Sequence, residues 1–131
     1  LEDYEIIINK RKKIYDFYKN YFDKNNSTIV STPKFSEKSS TNYHAFYIIF
    51  NDSEDSSEFI KFTKKHNINC YIGYVPLHTS EMGVKLKLDI NLPQTEKIAS
   101  SVVRLPVHTN ITDNDLEHIE KTFDMFFNKK I

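Results

Sequence analysis

Tyr71-Ile72-Gly73-Tyr74-Val75-Pro76-Leu77-His78 is the stretch around which this chain is organised. Cys70, Tyr71 and Ile72 are strand-forming types that close an apolar run. Gly73 removes the side chain where another backbone or a ligand comes close. Pro76 cannot continue a central strand and biases Val75 to an extended conformation. The expectation is a strand that runs into a rigid corner, with Tyr74 on the loop and the titratable ring of His78 just beyond it.

Upstream of this corner the sequence reads as strand, helix, strand. Tyr43 to Phe50 is continuous, aromatic and β-branched, and its unbroken apolarity predicts a strand buried at least in part on both faces. Asp55 or Ser56 is the expected N-cap of a helix with Phe59, Ile60, Phe62 and Thr63 on its inner face. Lys64 and Lys65 suit its C-terminal dipole, and Asn67 is the expected stop. Ile68 to Ile72 is the second strand.

The flanks follow the same logic. From Leu1 to about Phe22, apolar residues recur at steps of three and four, and no Gly or Pro intervenes, so a long amphipathic helix is expected. Lys10, Arg11, Lys12 and Lys13 read first as its solvated side; the alternative is an anion site. Thr28 to Ser31 suggests a short strand, and the Ser-rich run from Pro33 to Tyr43 an exposed connection. After His78, Thr79 to Asn91 reads as a loop with one helical turn. Pro93 to Ser100 is a short helix, with Leu92 or Thr95 before its first turn. Ser101 to Val107 is a strand interrupted by Pro106, which belongs at an edge or a strand end. Thr112 as N-cap places Asp115 at the third helical position, in a capping-box arrangement. Leu116, Ile119, Phe123, Phe126 and Phe127 form the buried stripe of the last helix.

This order predicts an α+β fold: a small, mainly antiparallel sheet with helices packed on one face. The 131 residues read as a single domain, with a leading helix over 1–24 and a sheet-and-helix body over 43–131.

Composition removes several functions. Lys+Arg 18 balances Asp+Glu 18, so a general nucleic-acid binder, which needs a basic excess, is not expected. Gly 2 leaves no glycine-rich phosphate loop. The single Cys70 cannot form an internal disulfide and fits a reducing, cytoplasmic setting. No apolar run is long enough to cross a bilayer, so no membrane partner is expected. The chain opens on Leu1, as expected for a piece of something longer or for trimmed termini.

The five histidines carry no HxxxH or HExxH spacing, so no metal site is expected. His66 and His118 fall on helices and are expected to face solvent. His44 opens a strand and reads as a structural histidine. His78 and His108 each follow a proline by two residues at the C-terminal side of a strand. Such a ring either binds a phosphate oxygen or a carbonyl, or is a hydrogen-bonded loop histidine. Cys70 sits in a buried strand with nothing to activate it, so a Cys70–His78 nucleophile pair is not expected.

Four motifs in order carry a resemblance. They are Asn42-Tyr43-His44-Ala45-Phe46-Tyr47-Ile48, Gly73-Tyr74-Val75-Pro76-Leu77-His78, Leu92-Pro93-Gln94-Thr95-Glu96 and Arg104-Leu105-Pro106-Val107. Together they resemble the C-terminal part of the DegT/DnrJ/EryC1/StrS sugar aminotransferases. The first two most resemble the branch that makes dTDP-4-amino-4,6-dideoxygalactose from the 4-keto sugar in cell-surface polysaccharide pathways such as that of O-antigen. The opening helix, with Arg11, Tyr15 and Tyr18, is similar to the helix by which that family enters its small domain.

The resemblance implies the small C-terminal domain of a fold type I pyridoxal-phosphate (PLP) transferase. It implies a homodimer, a nucleotide-sugar substrate and an amino donor, for which glutamate is the family expectation. Tyr74 and His78 are the matched positions expected to contact substrate. The family's Schiff-base lysine lies in a large N-terminal domain, so no catalytic, cofactor-binding or metal-binding residue is expected here, and this piece is expected to bind no PLP and be inactive alone. His108 stands where relatives carry an aromatic residue, and Gly73 where the branch often has His. The alternative function is a stand-alone binding or assembly module on the same small domain.

Overall fold

The computed structural model describes residues 3–25, 30–35, 38–88 and 90–129. Helix α1 (Tyr4–Asn25) leads through β1 (Val30–Ser31) to β2 (Phe46–Phe50). Then come α2 (Ser53–Lys65), β3 (Tyr71–Ile72), a short 3-10 turn (Leu77–Thr79) and α3 (Glu81–Lys85). Finally α4 (Pro93–Ser101) runs directly into β4 (Val102–Leu105), and α5 (Asp113–Phe127) closes the chain. Thr28 and Ile29, expected in the first strand, lie outside the described residues.

The four strands form one antiparallel sheet in the order β1-β2-β4-β3. The fold is the expected α+β sheet with helices. Its strands differ in detail from the expectation. β2 begins at Phe46, because Tyr43 sits at φ 54, a left-handed conformation that no strand residue adopts. Along β2 burial alternates: Phe46, Ile48 and Phe50 are buried, while Tyr47 and Ile49 are half-buried. The core face is fully buried and the other is covered in part, as expected, with the difference following the strand's period of two. β4 is an interior strand, because Pro106 falls one residue past its end and costs no ladder bond. The Pro106 carbonyl accepts the Tyr18 hydroxyl at 2.9 Å.

The core is a block of aromatic rings between that buried face and three helices. Phe46 packs on Tyr15, Tyr18 and Phe22 of α1. Phe50 packs on Phe59 of α2 and Phe127 of α5. Phe123, fully buried, touches both Phe22 and Phe59. Truncating such a ring to Ala costs about 3–5 kcal/mol.

Two helix starts show local chemistry setting boundaries. The N-cap of α2 is Asp52, not Asp55 or Ser56: its backbone is extended and its carboxylate accepts the Asp55 amide at 2.8 Å. Ser56 is instead buried, its hydroxyl bonded to the Ser53 and Ser100 carbonyls. α5 begins with the expected capping box, Thr112 and Asp115 each bonding the other's backbone N–H. α2 ends as read, with Asn67 at φ 61.

The first turns of α1 depart from the expected burial. Tyr4, Ile6 and Ile7 are exposed, and burial begins only at Ile14. An amphipathic pattern states which face is apolar, but something must reach that face to cover it.

Candidate functional site

β3 pairs with β4 through Tyr71–Arg104 and Ile72–Val103, and the Gly73 amide adds one more bond to the Val102 carbonyl. Beyond it the chain leaves the sheet. Pro76 is buried, and its carbonyl accepts both the amide and the hydroxyl of Thr79, which curls Leu77–Thr79 into the 3-10 turn. Ser80 then caps α3, its hydroxyl accepting the Gly83 amide.

Gly83 locks this corner. A Cβ there would stand 2.3 Å from the Leu77 carbonyl oxygen and 2.5 Å from that of His78. Only glycine lets α3 press so closely on the turn. The sequence expectation of one helical turn in this region holds, but the close approach is visible only in three dimensions.

His78 is the side chain that this corner delivers. Its side chain is 8% exposed, so it is not the open loop residue its position suggests. Nε2 lies 3.0 Å from Oε1 of Glu96, in the first turn of α4. A carboxylate only accepts, so Nε2 carries the proton and Nδ1 is left to other partners. Glu96 is half exposed, so the pair contributes less than about 1 kcal/mol to stability and acts chiefly by orienting the ring. Sequence spacing gives no signal for Glu96 as the partner of His78.

Tyr74 shares the segment but turns outward, 52% exposed. Along the same stretch and the α3 segment after it, Val75, Leu77, Met82, Val84 and Leu86 are all more than half exposed. His108, which has the same offset from a proline as His78, is at the other end of the sheet. Antiparallel β3 and β4 put the chain exit from one beside the chain entry to the other.

The remaining candidates are inert or structural. Cys70 is buried, and burial pushes its thiol up to about 12. His66 is half-buried rather than solvent-facing, bonded to the Phe62 carbonyl and packed at a tilt against the Phe62 ring, while exposed His118 reaches back to the His66 carbonyl. Among the described residues no three His, Cys, Asp or Glu side chains are arranged to hold a metal ion, and no helix is long and apolar enough to cross a membrane. Lys12 and Lys13 of the basic run pair with Asp16 and Asp113, as a solvated face would.

The DegT/DnrJ/EryC1/StrS aminotransferase family matches residues 1–124. No curated protein matches the chain. Among solved structures, Helicobacter pylori PseC, an aminotransferase involved in the biosynthesis of pseudoaminic acid, is similar with TM-score 0.83 and 16% identity, over 98% of this chain and 35% of that one. The sugar aminotransferase CalS13 from Micromonospora echinospora has TM-score 0.78 and 14% identity, over 92% and 31%. Spr1654 from Streptococcus pneumoniae, in its PLP form, has TM-score 0.77 and 19% identity, over 100% and 34%. The chain thus spans about a third of the length of these structures.

Proposed function

This chain belongs to the DegT/DnrJ/EryC1/StrS aminotransferase family, and from that membership we propose that it is the small C-terminal domain of a PLP-dependent nucleotide-sugar aminotransferase. The family match over residues 1–124 carries the reading. The whole enzyme moves an amino group, from glutamate, to a dTDP-4-keto-6-deoxyhexose destined for cell-surface polysaccharide. It works in the cytoplasm as a homodimer. The branch that makes dTDP-4-amino-4,6-dideoxygalactose is the finer assignment, resting on Asn42 to Ile48 and Gly73 to His78.

PLP supplies the electron sink for amino exchange when bound. The resemblance places the Schiff-base lysine in the large N-terminal domain, so the part of the residues here is to wall and orient the substrate. Tyr74 supplies an aromatic wall. His78, held by Glu96, presents Nδ1 to the sugar or its phosphate. The exposed apolar residues along Tyr74 to Leu86 mark the face on which the large domain rests. An uncovered patch of that kind on an isolated domain calls for a partner surface.

The test is to express the whole open reading frame containing this segment. With PLP, glutamate and dTDP-4-keto-6-deoxyglucose, the aminated nucleotide sugar is expected by mass spectrometry. A reading frame with no upstream PLP domain, or a PLP-loaded enzyme that aminates no nucleotide sugar, overturns the proposal.

A further inference from the structure

A cleft of about 430 Å³ runs along the seam where α2 meets α5, lined by Glu58, Lys61, Phe62, Lys65, Phe126 and Lys129. None of these residues belongs to the His78 corner, so the cleft stands apart from the aminotransferase reading.

Helix geometry brings the six side chains to one place. Glu58, Lys61, Phe62 and Lys65 are spaced at i, i+3, i+4 and i+7, so they form one stripe along α2. Phe126, in the last turn of α5, meets that stripe with its ring centroid 5.5 Å from that of Phe62. Lys129, three residues on, holds its ammonium over the Phe62 ring, 5.9 Å from the centroid. The two helices therefore end side by side.

The floor is apolar and the rim is cationic. Phe126 is buried, while Phe62 is half-buried and keeps part of its ring open to the cleft. Lys61, Lys65 and Lys129 are exposed. A helix C-terminus carries about half a negative charge, confined to its last turn. Lys64 offsets that of α2, which leaves Lys61 and Lys65 in surplus. Glu58, at the far end of the stripe, is the one carboxylate on the wall.

We propose that this cleft docks a short acidic segment of another protein, with one large apolar side chain resting on Phe62 and carboxylates meeting Lys61, Lys65 and Lys129. An ammonium on a four-carbon stem is a mobile point charge without the fixed fork of a guanidinium, so three of them do not define the shape of one small anion. They match carboxylates spread along a chain. A second copy is a poor occupant, because its acidic stretch from Asp52 to Glu58 has no apolar residue to fill the floor. The contact is small, so the complex is weak and transient.

The test is a ¹⁵N–¹H NMR titration of the 131-residue chain with a blocked peptide, Glu-Asp-Glu-Phe-Glu-Asp, at constant ionic strength. Saturable shifts are expected at residues 58, 61, 62, 65, 126 and 129. Replacing the peptide's phenylalanine by alanine should weaken binding about tenfold, and a peptide with lysines in place of its acidic residues should not bind. Lys61→Gln combined with Lys65→Gln, both at exposed positions that leave folding intact, should weaken it about fivefold or more, the scale of two exposed ion pairs. Lys10→Gln should leave affinity within about twofold. Lys10 lies one turn from Lys13, whose partner Asp113 opens α5, so it stands at the opposite end of that helix. The proposal is overturned by non-saturable shifts, by shifts centred elsewhere, by the alanine peptide, the lysine peptide or benzoate binding as tightly as the phenylalanine peptide, by the double variant binding like wild type, or by equal weakening from Lys10→Gln. It is overturned too if the same residues shift as the chain alone is concentrated, which would make a second copy the occupant.

Discussion

His78 Nε2 and Glu96 Oε1 meet at 3.0 Å across eighteen residues of chain, joining the corner after β3 to the first turn of α4. The bond selects which face of the imidazole is open to a ligand. NMR should therefore show His78 as the Nε2–H tautomer in the native chain, and Glu96→Ala should mix the tautomers while Glu96→Gln, which keeps an acceptor oxygen, should not. Stability should fall by less than about 1 kcal/mol in Glu96→Ala, since Glu96 is half exposed. His78→Ala should cost about 1–2 kcal/mol, because the ring is buried. In the complete enzyme His78→Ala should lower kcat/KM about tenfold to a hundredfold, with the sugar half-reaction hit harder than the donor half-reaction. Equal loss in both halves would place His78 in the cofactor chemistry instead.

Gly83→Ala should destabilise the chain although alanine favours helices. The new methyl group meets two carbonyl oxygens at 2.3 and 2.5 Å, so α3 must move off the 3-10 turn. Overpacking of this kind costs about 1–3 kcal/mol, against a propensity gain of about 1 kcal/mol. Urea unfolding measures the net, and the His78 imidazole resonances should shift with it. Unchanged stability and unchanged His78 signals would mean the corner is looser than the contact implies.

The Cys70 thiol should be silent in the native chain. Burial is the cause of its raised value of about 12, and a hydrogen bond with Thr63 acts weakly against it. The folded value lies above the unfolded one, so the contribution to stability is whole below about pH 8.5 and is lost as pH rises from there towards 12. Labelling with a thiol reagent at pH 8 should be at least about a hundredfold slower folded than in denaturant. Fast native labelling would show β3 opening on its own.

Thr112→Ala should cost about 1 kcal/mol, since it removes the cap of α5. The Thr112 amide and hydroxyl hold the Asp115 carboxyl below the usual carboxylate range, with smaller help from His108 and His118. A depressed folded value means that Asp115 stabilises above the ordinary carboxylate range and stops doing so as pH falls through its folded value. In Thr112→Ala, which keeps the amide and removes the hydroxyl, the Asp115 titration followed by carboxyl NMR should move up in part; no movement would assign the shift to the remaining amide bond and the histidines.

The isolated chain should take up a hydrophobic dye or self-associate at high concentration, given the exposed Val75, Leu77, Met82, Val84 and Leu86. Light scattering and dye fluorescence measure this. A dye-silent monomer would show that the surface needs no cover.

What the sequence determined by itself is what local chemistry and periodicity control. The capping box of Thr112 and Asp115, the stop at Asn67, the stripe of α5 and the antiparallel α+β order were all legible, because each depends on residues within a turn or two. The family was legible from four short motifs, now matched over residues 1–124. Tertiary structure alone decided that β4 is interior, which face of β2 is fully buried, and that the exposed start of α1 is left uncovered. It alone paired His78 with Glu96 and put His108 at the far end of the sheet with His44 and His118. The reason is physical. A cap or a stripe is set by neighbours in sequence, whereas register, strand order and side-chain encounters across dozens of residues are set by how the aromatic block packs, and that packing has no local signature.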